Sequence, residues 1–265
     1  MKASSEPVMP SEITGSGKPV VLVPGGLTGW LSWKPHAERL ASNFTVLRVQ
    51  LLSVETGLRG VPLPTDYSVR TESRALELAL DSLEIKVADF SGWSYGGLVL
   101  LDFAMSHPER VRSLTLIEPP AFWVLQSRGP LSPDALEFRR FAERFDPVYV
   151  TEDQLVRHAH FAGFVPNEVD PRTLPQWPVW LQHRQSLRTE DLPFLHQDDL
   201  SRVKQFDRPV LLFKGVGSPS YFREIVDILG QEFPRARVEE LPGAHALPIV
   251  SIDRYLELFV QFLRD

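Results

Sequence analysis

The sequence predicts an α/β protein: a mostly parallel sheet of about six strands, helices on both faces, and a helical cap inserted between two strands. Three observations carry this. Short apolar runs recur along the chain, as expected of strands buried on both faces. Amphipathic stretches at helical spacing separate them, which makes each strand–helix–strand unit a parallel crossover. The rhythm breaks from about Pro120 to Phe206, a stretch too long for a plain loop, and then resumes. The expected division is a core of residues 1–119 and 207–265, with residues 120–206 as the cap, or lid.

Residues 1–18 are polar, rich in Ser, Gly and Pro, and read as a loose arm. Val20–Val23 follows as a buried strand broken by Pro24-Gly25-Gly26, and a helix over Trp33–Ala41 leads to strand Thr45–Val49. A second helix, Val69–Leu83, places Leu76, Ala79, Leu80 and Leu83 at helical spacing, with Ser68 as its N-cap. Strand Val87–Phe90 runs into a glycine-bounded turn and a helix that ends near His107-Pro108, and Leu114–Ile117 is the next strand. Inside the insert, Phe138, Phe141 and Phe145 recur at helical spacing, and Leu174–Trp180 is rich in Pro and Trp. Beyond it, strands Val210–Phe213 and Arg237–Leu241 flank a helix over Tyr221–Phe233, and a helix over Ile252–Leu263 closes the chain.

With 43% hydrophobic and 23% charged residues in 265, the chain has the make-up of a soluble globular protein with a large core. No apolar run approaches the about 18 residues of a membrane span, so no membrane partner is expected. The segment Met1–Pro7 lacks the apolar centre of a signal peptide. The expected location is cytoplasmic, or else the chain is a mature form already processed. The absence of cysteine excludes disulfides, thiolate nucleophiles and cysteine metal sites. A net charge of −6 without basic clusters argues against nucleic acid and leaves a small molecule as the expected partner. Composition leaves the oligomeric state open.

The densest chemical signal is Gly92-Trp93-Ser94-Tyr95-Gly96, a G-x-S-x-G motif between a strand and a helix. In that setting the serine sits on a sharp turn with its hydroxyl lifted above the sheet edge. A serine needs a base within hydrogen-bond reach. Of the seven histidines, His245 alone follows the last strand on a glycine-containing loop, Pro242–Ala246. His158 and His160 are two apart in a helix, hence on different faces, which argues against a metal pair. They and His36, His107, His183 and His196 read as structural. The acid that orients His245 is expected to be Glu118, just past the end of strand Leu114–Ile117, and the order Ser94, Glu118, His245 fits such a triad. Two backbone amides should receive the developing negative charge: Tyr95, after the nucleophile, and Gly26, in the turn after the first strand. That turn matches neither the G-x-x-x-x-G-K-[ST] nor the G-x-G-x-x-G spacing of a nucleotide site.

Val20–Gly26, Ser91–Gly97, His107–Leu114 and Pro242–His245 together resemble the α/β-hydrolase superfamily, from about Lys18 to Asp265. In most of that family an aspartate follows the strand equivalent to Val210–Phe213. Here Lys214–Ser220 holds no carboxylate, and none comes before Glu224. An acid after the pre-cap strand is similar to haloalkane dehalogenases and to the lactonases that open zearalenone. Dehalogenases use an aspartate nucleophile, whereas Ser94 is compatible with the lactonases. The resemblance also implies that the antiparallel strands which usually begin this sheet are reduced or missing, leaving an edge that needs cover. Val49–Val54 replaces the usual Asp/Gly-rich turn, and Trp93 stands where many relatives have histidine, as core packing or as a pocket wall.

The expected function is cofactor-independent hydrolysis of a carboxylic ester or lactone with an apolar or aromatic part, through an acyl-enzyme on Ser94. No metal or organic cofactor is implied. Of the insert's aromatics, Phe122, Trp123, Phe161, Phe164, Trp177 and Trp180, at most two are expected to touch substrate, with Trp177 and Trp180 leading. Arg184 or Arg188 could bind a carboxylate, although a solvated helix charge is the plainer reading. The same triad would serve a C–C bond hydrolase, a cofactor-free perhydrolase or an acyltransferase. A ligand receptor or inactive scaffold on the same fold is the alternative of another class.

Overall fold

A computed structural model describes residues 6–64, 66–146 and 148–265; the first five residues of the expected arm lie outside these. Seven strands form one sheet in the order β1-β3-β2-β4-β5-β6-β7. They are β1 Ser11–Thr14, β2 Lys18–Val23, β3 Phe44–Val49, β4 Ala88–Trp93, β5 Val111–Ile117, β6 Val210–Gly215 and β7 Ala236–Leu241. All neighbours pair in parallel except β1, which runs antiparallel to β3 with Ser11 opposite Val49 and Thr14 opposite Val46. The arm therefore supplies a seventh strand that covers the β3 edge, where a loose segment was expected. Its four residues are half-buried or exposed and carry no apolar alternation, so only backbone pairing defines them. The opposite edge, β7, carries Arg237, Glu239 and Glu240, none of them buried, and such charges discourage further pairing.

Alternate residues of each strand serve the two faces, as the pleat requires. Val21, Val23, Phe90, Leu114 and Leu212 join one hydrophobic cluster, while Val20, Leu22, Ile117, Leu211 and Phe213 join the other. Helices α1 Lys34–Leu40, α2 Leu52–Leu58, α3 Val69–Ser82 and α4 Tyr95–Ser106 connect the first strands. Ser68 does cap α3: its hydroxyl accepts the Thr71 N–H, while Thr71 Oγ1 takes the Ser68 N–H in return. The stretch after β3 that lacks Asp and Gly becomes the start of α2. The fully buried Glu72 carboxylate accepts the Leu52 and Ser53 amides, both at 2.9 Å, and so supplies the cap that Leu51 cannot.

Between β5 and β6 lie α5 Phe122–Gln126, α6 Pro133–Ala142, α7 Glu152–Phe161, α8 Trp177–His183, α9 Leu192–Leu195 and α10 Leu200–Gln205. Packing does not divide this insert from the sheet at residue 120. Phe122, Phe138, Phe194 and Phe206 share a cluster with Leu114 and Phe222 of the main core. Only the α7–α8 region has its own cluster, built from Leu155, Ala159, Trp177, Trp180 and Leu187, and this closes over Leu27 in the turn after β2. The chain ends with α11 Ser220–Glu232, α12 Leu247–Val250 and α13 Ile252–Phe262.

The sheet order reverses between β2 and β4: β3 lies on one side of β2, and β4 and β5 on the other. Ligand crevices in parallel sheets form beyond the strand C-termini at such a switch point. Gly25-Gly26 follows β2 and Ser94 follows β4, so both open onto it.

Candidate active site

Ser94 is the single residue between β4 and α4, held at φ 53°, ψ −128°. A non-glycine residue there costs on the order of 1–3 kcal/mol and persists only if its surroundings over-determine it. They do. The Ser94 N–H donates to Ile117 O at 2.9 Å, and its carbonyl accepts the Gly97 and Leu98 amides at 2.8 and 3.1 Å. The flanking glycines are required by close approach, since neither has positive φ. A Cβ on Gly96 would fall 2.2 Å from Pro24 O, and one on Gly92 would fall 2.7 Å from Gly96 O.

His245 Nε2 lies 2.8 Å from Ser94 Oγ, and Nδ1 lies 2.8 Å from Glu118 Oε2. A carboxylate only accepts, so Nδ1 carries the proton and Nε2 offers its lone pair to the serine hydroxyl. The ring stacks on Phe222 at 4.3 Å and 9°, and meets Phe164 edge-on at 5.3 Å. Its backbone is fixed as well: Trp93 Nε1 donates to His245 O at 2.8 Å, and the His245 N–H reaches Gly163 O at 3.3 Å. Trp93 is thus both a core side chain and part of the cavity wall. Glu118 is completely buried, at φ 44°. Its second oxygen, Oε1, accepts the Gly215 N–H at 2.7 Å. Gly215 ends β6, inside the Lys214–Ser220 segment where the resemblance implies an acid. A side chain at Gly215 would place its Cβ 2.8 Å from Gly243 O, so that strand end serves Glu118 through its backbone.

Gly26 and Tyr95 line the cavity into which Ser94 opens. Among the described residues, neither amide donates in a hydrogen bond. Tyr95 is the first residue of α4, so its N–H has no intrahelical acceptor and lies at the positive end of the helix dipole. The cavity has a volume of about 490 Å³, within the range of small-molecule sites, and its wall is mostly apolar. Of the six insert aromatics considered above, Trp180, Phe122 and Phe164 line it. Trp177 does not; it faces the α7–α8 cluster. Arg184 and Arg188 do not line it either. Arg188 is buried rather than solvated, and its guanidinium is taken up by Val61 O, Thr56 Oγ1 and Gln185 O.

The profile of the alpha/beta hydrolase family matches residues 20–261. The chain belongs to the alpha/beta hydrolase family. A pimeloyl-acyl-carrier-protein methyl ester esterase of Yersinia enterocolitica is 27% identical over 247 residues, which is 88% of this chain and 86% of its own. A 2-hydroxymuconate semialdehyde hydrolase of a Pseudomonas species is 31% identical over 140 residues, about half of each chain. A hydrolase of Pseudomonas aeruginosa superposes with a TM-score of 0.74 at 22% identity, over 96% of this chain and 93% of its own.

Several wall residues of this alpha/beta hydrolase carried no motif in the sequence. Phe138, Phe194 and Phe222 line the cavity from three separate helices, and His158 and Glu190 add its polar patch. His158 had read as a structural histidine. Its position in an otherwise amphipathic helix gave no sign that the polar ring faces a cavity. Away from the site, Asp102, His196 and Asp198 gather three possible ligand atoms. Arg202 Nη1 already lies 2.8 Å from Asp198, and Arg70 Nε lies 3.7 Å from Asp102, so arginines balance that cluster. Among the described residues no helix is long and apolar enough to cross a membrane.

Proposed function

We propose that this alpha/beta hydrolase cleaves a carboxylic ester or lactone with an apolar or aromatic part, through an acyl-enzyme on Ser94. His245 takes the Ser94 proton as Oγ attacks the carbonyl carbon. The Gly26 and Tyr95 amides receive the oxyanion, and protonated His245 then gives its proton to the leaving alkoxide. Water, deprotonated by the same histidine, releases the acid. Glu118 holds the tautomer and stabilises the imidazolium through both proton transfers. The insert acts as the cap that shapes the substrate pocket, with Trp93 and Trp180 among its walls.

The observation that carries this reading is the unbroken relay, 2.8 Å from Glu118 to His245 and 2.8 Å from His245 to Ser94, opening on a mostly apolar cavity. The ester-type activity in the name of the Yersinia relative supports it. The test is exposure to a fluorophosphonate and a short p-nitrophenyl ester, alongside Ser94→Ala. Labelling at Ser94 with turnover that the variant loses is expected. A wild-type protein that neither labels nor turns over would move the receptor or scaffold reading ahead.

A further inference from the structure

We infer that Glu190, with His158, is a specificity-determining residue: its carboxylate accepts a hydrogen bond from a hydroxyl or ammonium group on the substrate and turns away substrates that carry a carboxylate. This rests on the esterase reading and narrows its substrate class.

Both side chains line the cavity and are mostly buried, at 15% exposure for Glu190 and 7% for His158. His158 Nδ1 lies 3.2 Å from Glu190 Oε1, yet the oxygen is off the direction a hydrogen bond needs, and Nδ1 is left buried without a partner. Among the described residues His158 is the one ion-pair partner of the Glu190 carboxylate. The Glu190 oxygens, unlike His158 Nδ1, are open to the cavity, so a donor on the substrate can take the place of the water that would otherwise satisfy them. The patch stands one aromatic ring beyond the triad: Phe164 lies 5.3 Å from the His245 ring and 6.0 Å from that of His158. A substrate whose carbonyl sits at Ser94 can therefore reach it with its distal end.

The charge around the patch decides which distal group fits. No lysine or arginine lines the cavity among the described residues. The neighbouring arginines are committed elsewhere: Arg188 to Gln185 O, Val61 O and Thr56 Oγ1, Arg184 to Val150 O and Leu181 O, and Arg157 over the Phe141 ring at 4.7 Å. Asp191 lies next to Glu190 and its carboxyl is pushed above the usual range, chiefly by burial and further by Glu190 and Glu143. Glu190 is thus the charged side chain that this wall turns to the cavity among the described residues, with the His158 ring beside it and the arginine hydrogen-bonding groups turned to other partners. A hydrogen-bond donor gains there, a methyl group leaves the carboxylate unmatched, and an anion is repelled.

The test compares p-nitrophenyl esters of matched chain length ending in methyl, hydroxyl, ammonium or carboxylate, on the wild type, Glu190→Gln and Glu190→Asp. Fluorophosphonate labelling of Ser94 is run in parallel. In the wild type, kcat/KM should favour hydroxyl and ammonium over methyl at least tenfold and disfavour carboxylate at least tenfold. In Glu190→Gln the ammonium preference and the carboxylate penalty should shrink to within about threefold of unity, mainly through KM. The hydroxyl preference should fall less, because an amide oxygen still accepts. Glu190→Asp keeps the charge and should keep the ranking, which guards against a misfolded glutamine variant. A wild type that cleaves the carboxylate and methyl esters equally well, or a ranking unchanged in Glu190→Gln, overturns the role of Glu190 while Ser94 labelling leaves the esterase reading standing. If Ser94 does not label and no ester is cleaved, both fall.

Discussion

Replacing Glu118 by glutamine changes a charge and almost no volume, and it is expected to lower kcat about 10⁴-fold, near 5.5 kcal/mol of transition-state stabilisation. The reason lies in two fixed donors. Gly215 N–H points at one carboxylate oxygen from 2.7 Å and His245 Nδ1–H at the other from 2.8 Å, in a site closed to water. Glutamine offers one oxygen and one NH₂ group, so it can accept from only one of them. If its oxygen faces His245, the Gly215 amide meets another donor and stays unpaired, at about 1–3 kcal/mol. If its oxygen keeps Gly215, the NH₂ group faces Nδ1, the ring proton moves to Nε2, and the nitrogen 2.8 Å from Ser94 Oγ can no longer take a proton. The backbone amide cannot change its character and the imidazole can, so the tautomer gives way. Burst kinetics with a p-nitrophenyl ester, with circular dichroism to verify folding, measures the loss. A second arm combines Glu118→Ala with Ser218→Asp. Ser218 Oγ is buried without a partner, against Gly215 in the segment where the resemblance places an acid. The double variant should recover at least tenfold over Glu118→Ala alone. A folded Glu118→Gln enzyme within tenfold of wild-type kcat would refute the assignment of Glu118.

Two other outcomes are expected. Ser94→Gly should raise the melting temperature while abolishing turnover, because glycine accepts φ 53° without the strain serine carries there, worth about 1 kcal/mol; a lower melting temperature would show that the elbow is not strained. His36 donates Nε2–H to Pro248 O at 2.8 Å, and burial above all pushes its pKa from 6.5 down to about 4. The unfolded chain then takes up a proton that the folded chain refuses, so stability present above pH 6.5 is lost as pH falls toward 4, by about 3 kcal/mol. Chemical denaturation across that window should show a smaller loss for His36→Asn, and equal slopes in both proteins would contradict the buried neutral histidine.

Much of the scaffold was legible because strands and helices write their burial into local periodicity. Val20–Val23, Val87–Phe90, Leu114–Ile117 and Val210–Phe213 lie inside observed strands, apart from Val87, which stands one residue before β4, although each strand runs two or three residues further; Ser68 caps its helix through the Thr71 amide. Ser94, His245 and Glu118 were also legible, since each follows a strand end and parallel crossovers bring those ends to one edge of the sheet. Glu118 needed one more step, the lack of a carboxylate in Lys214–Ser220. The first strand was not legible. Ser11–Thr14 pairs through backbone alone, and its side chains do not record it.

The sequence by itself determined which segments alternate, which turns had to be sharp, and which three side chains could form a relay. Tertiary structure alone decided the cavity. Trp177 and Trp180 are one helical turn apart on α8, yet only Trp180 reaches the cavity wall. Phe138, Phe194, Phe222, His158 and Glu190 meet around the cavity from segments far apart in the chain. Periodicity tells a helix which face to bury, and the partner it meets there depends on every other element. A cavity lies where that packing stops, so its lining is a property of the assembled layers and of no single stretch of chain.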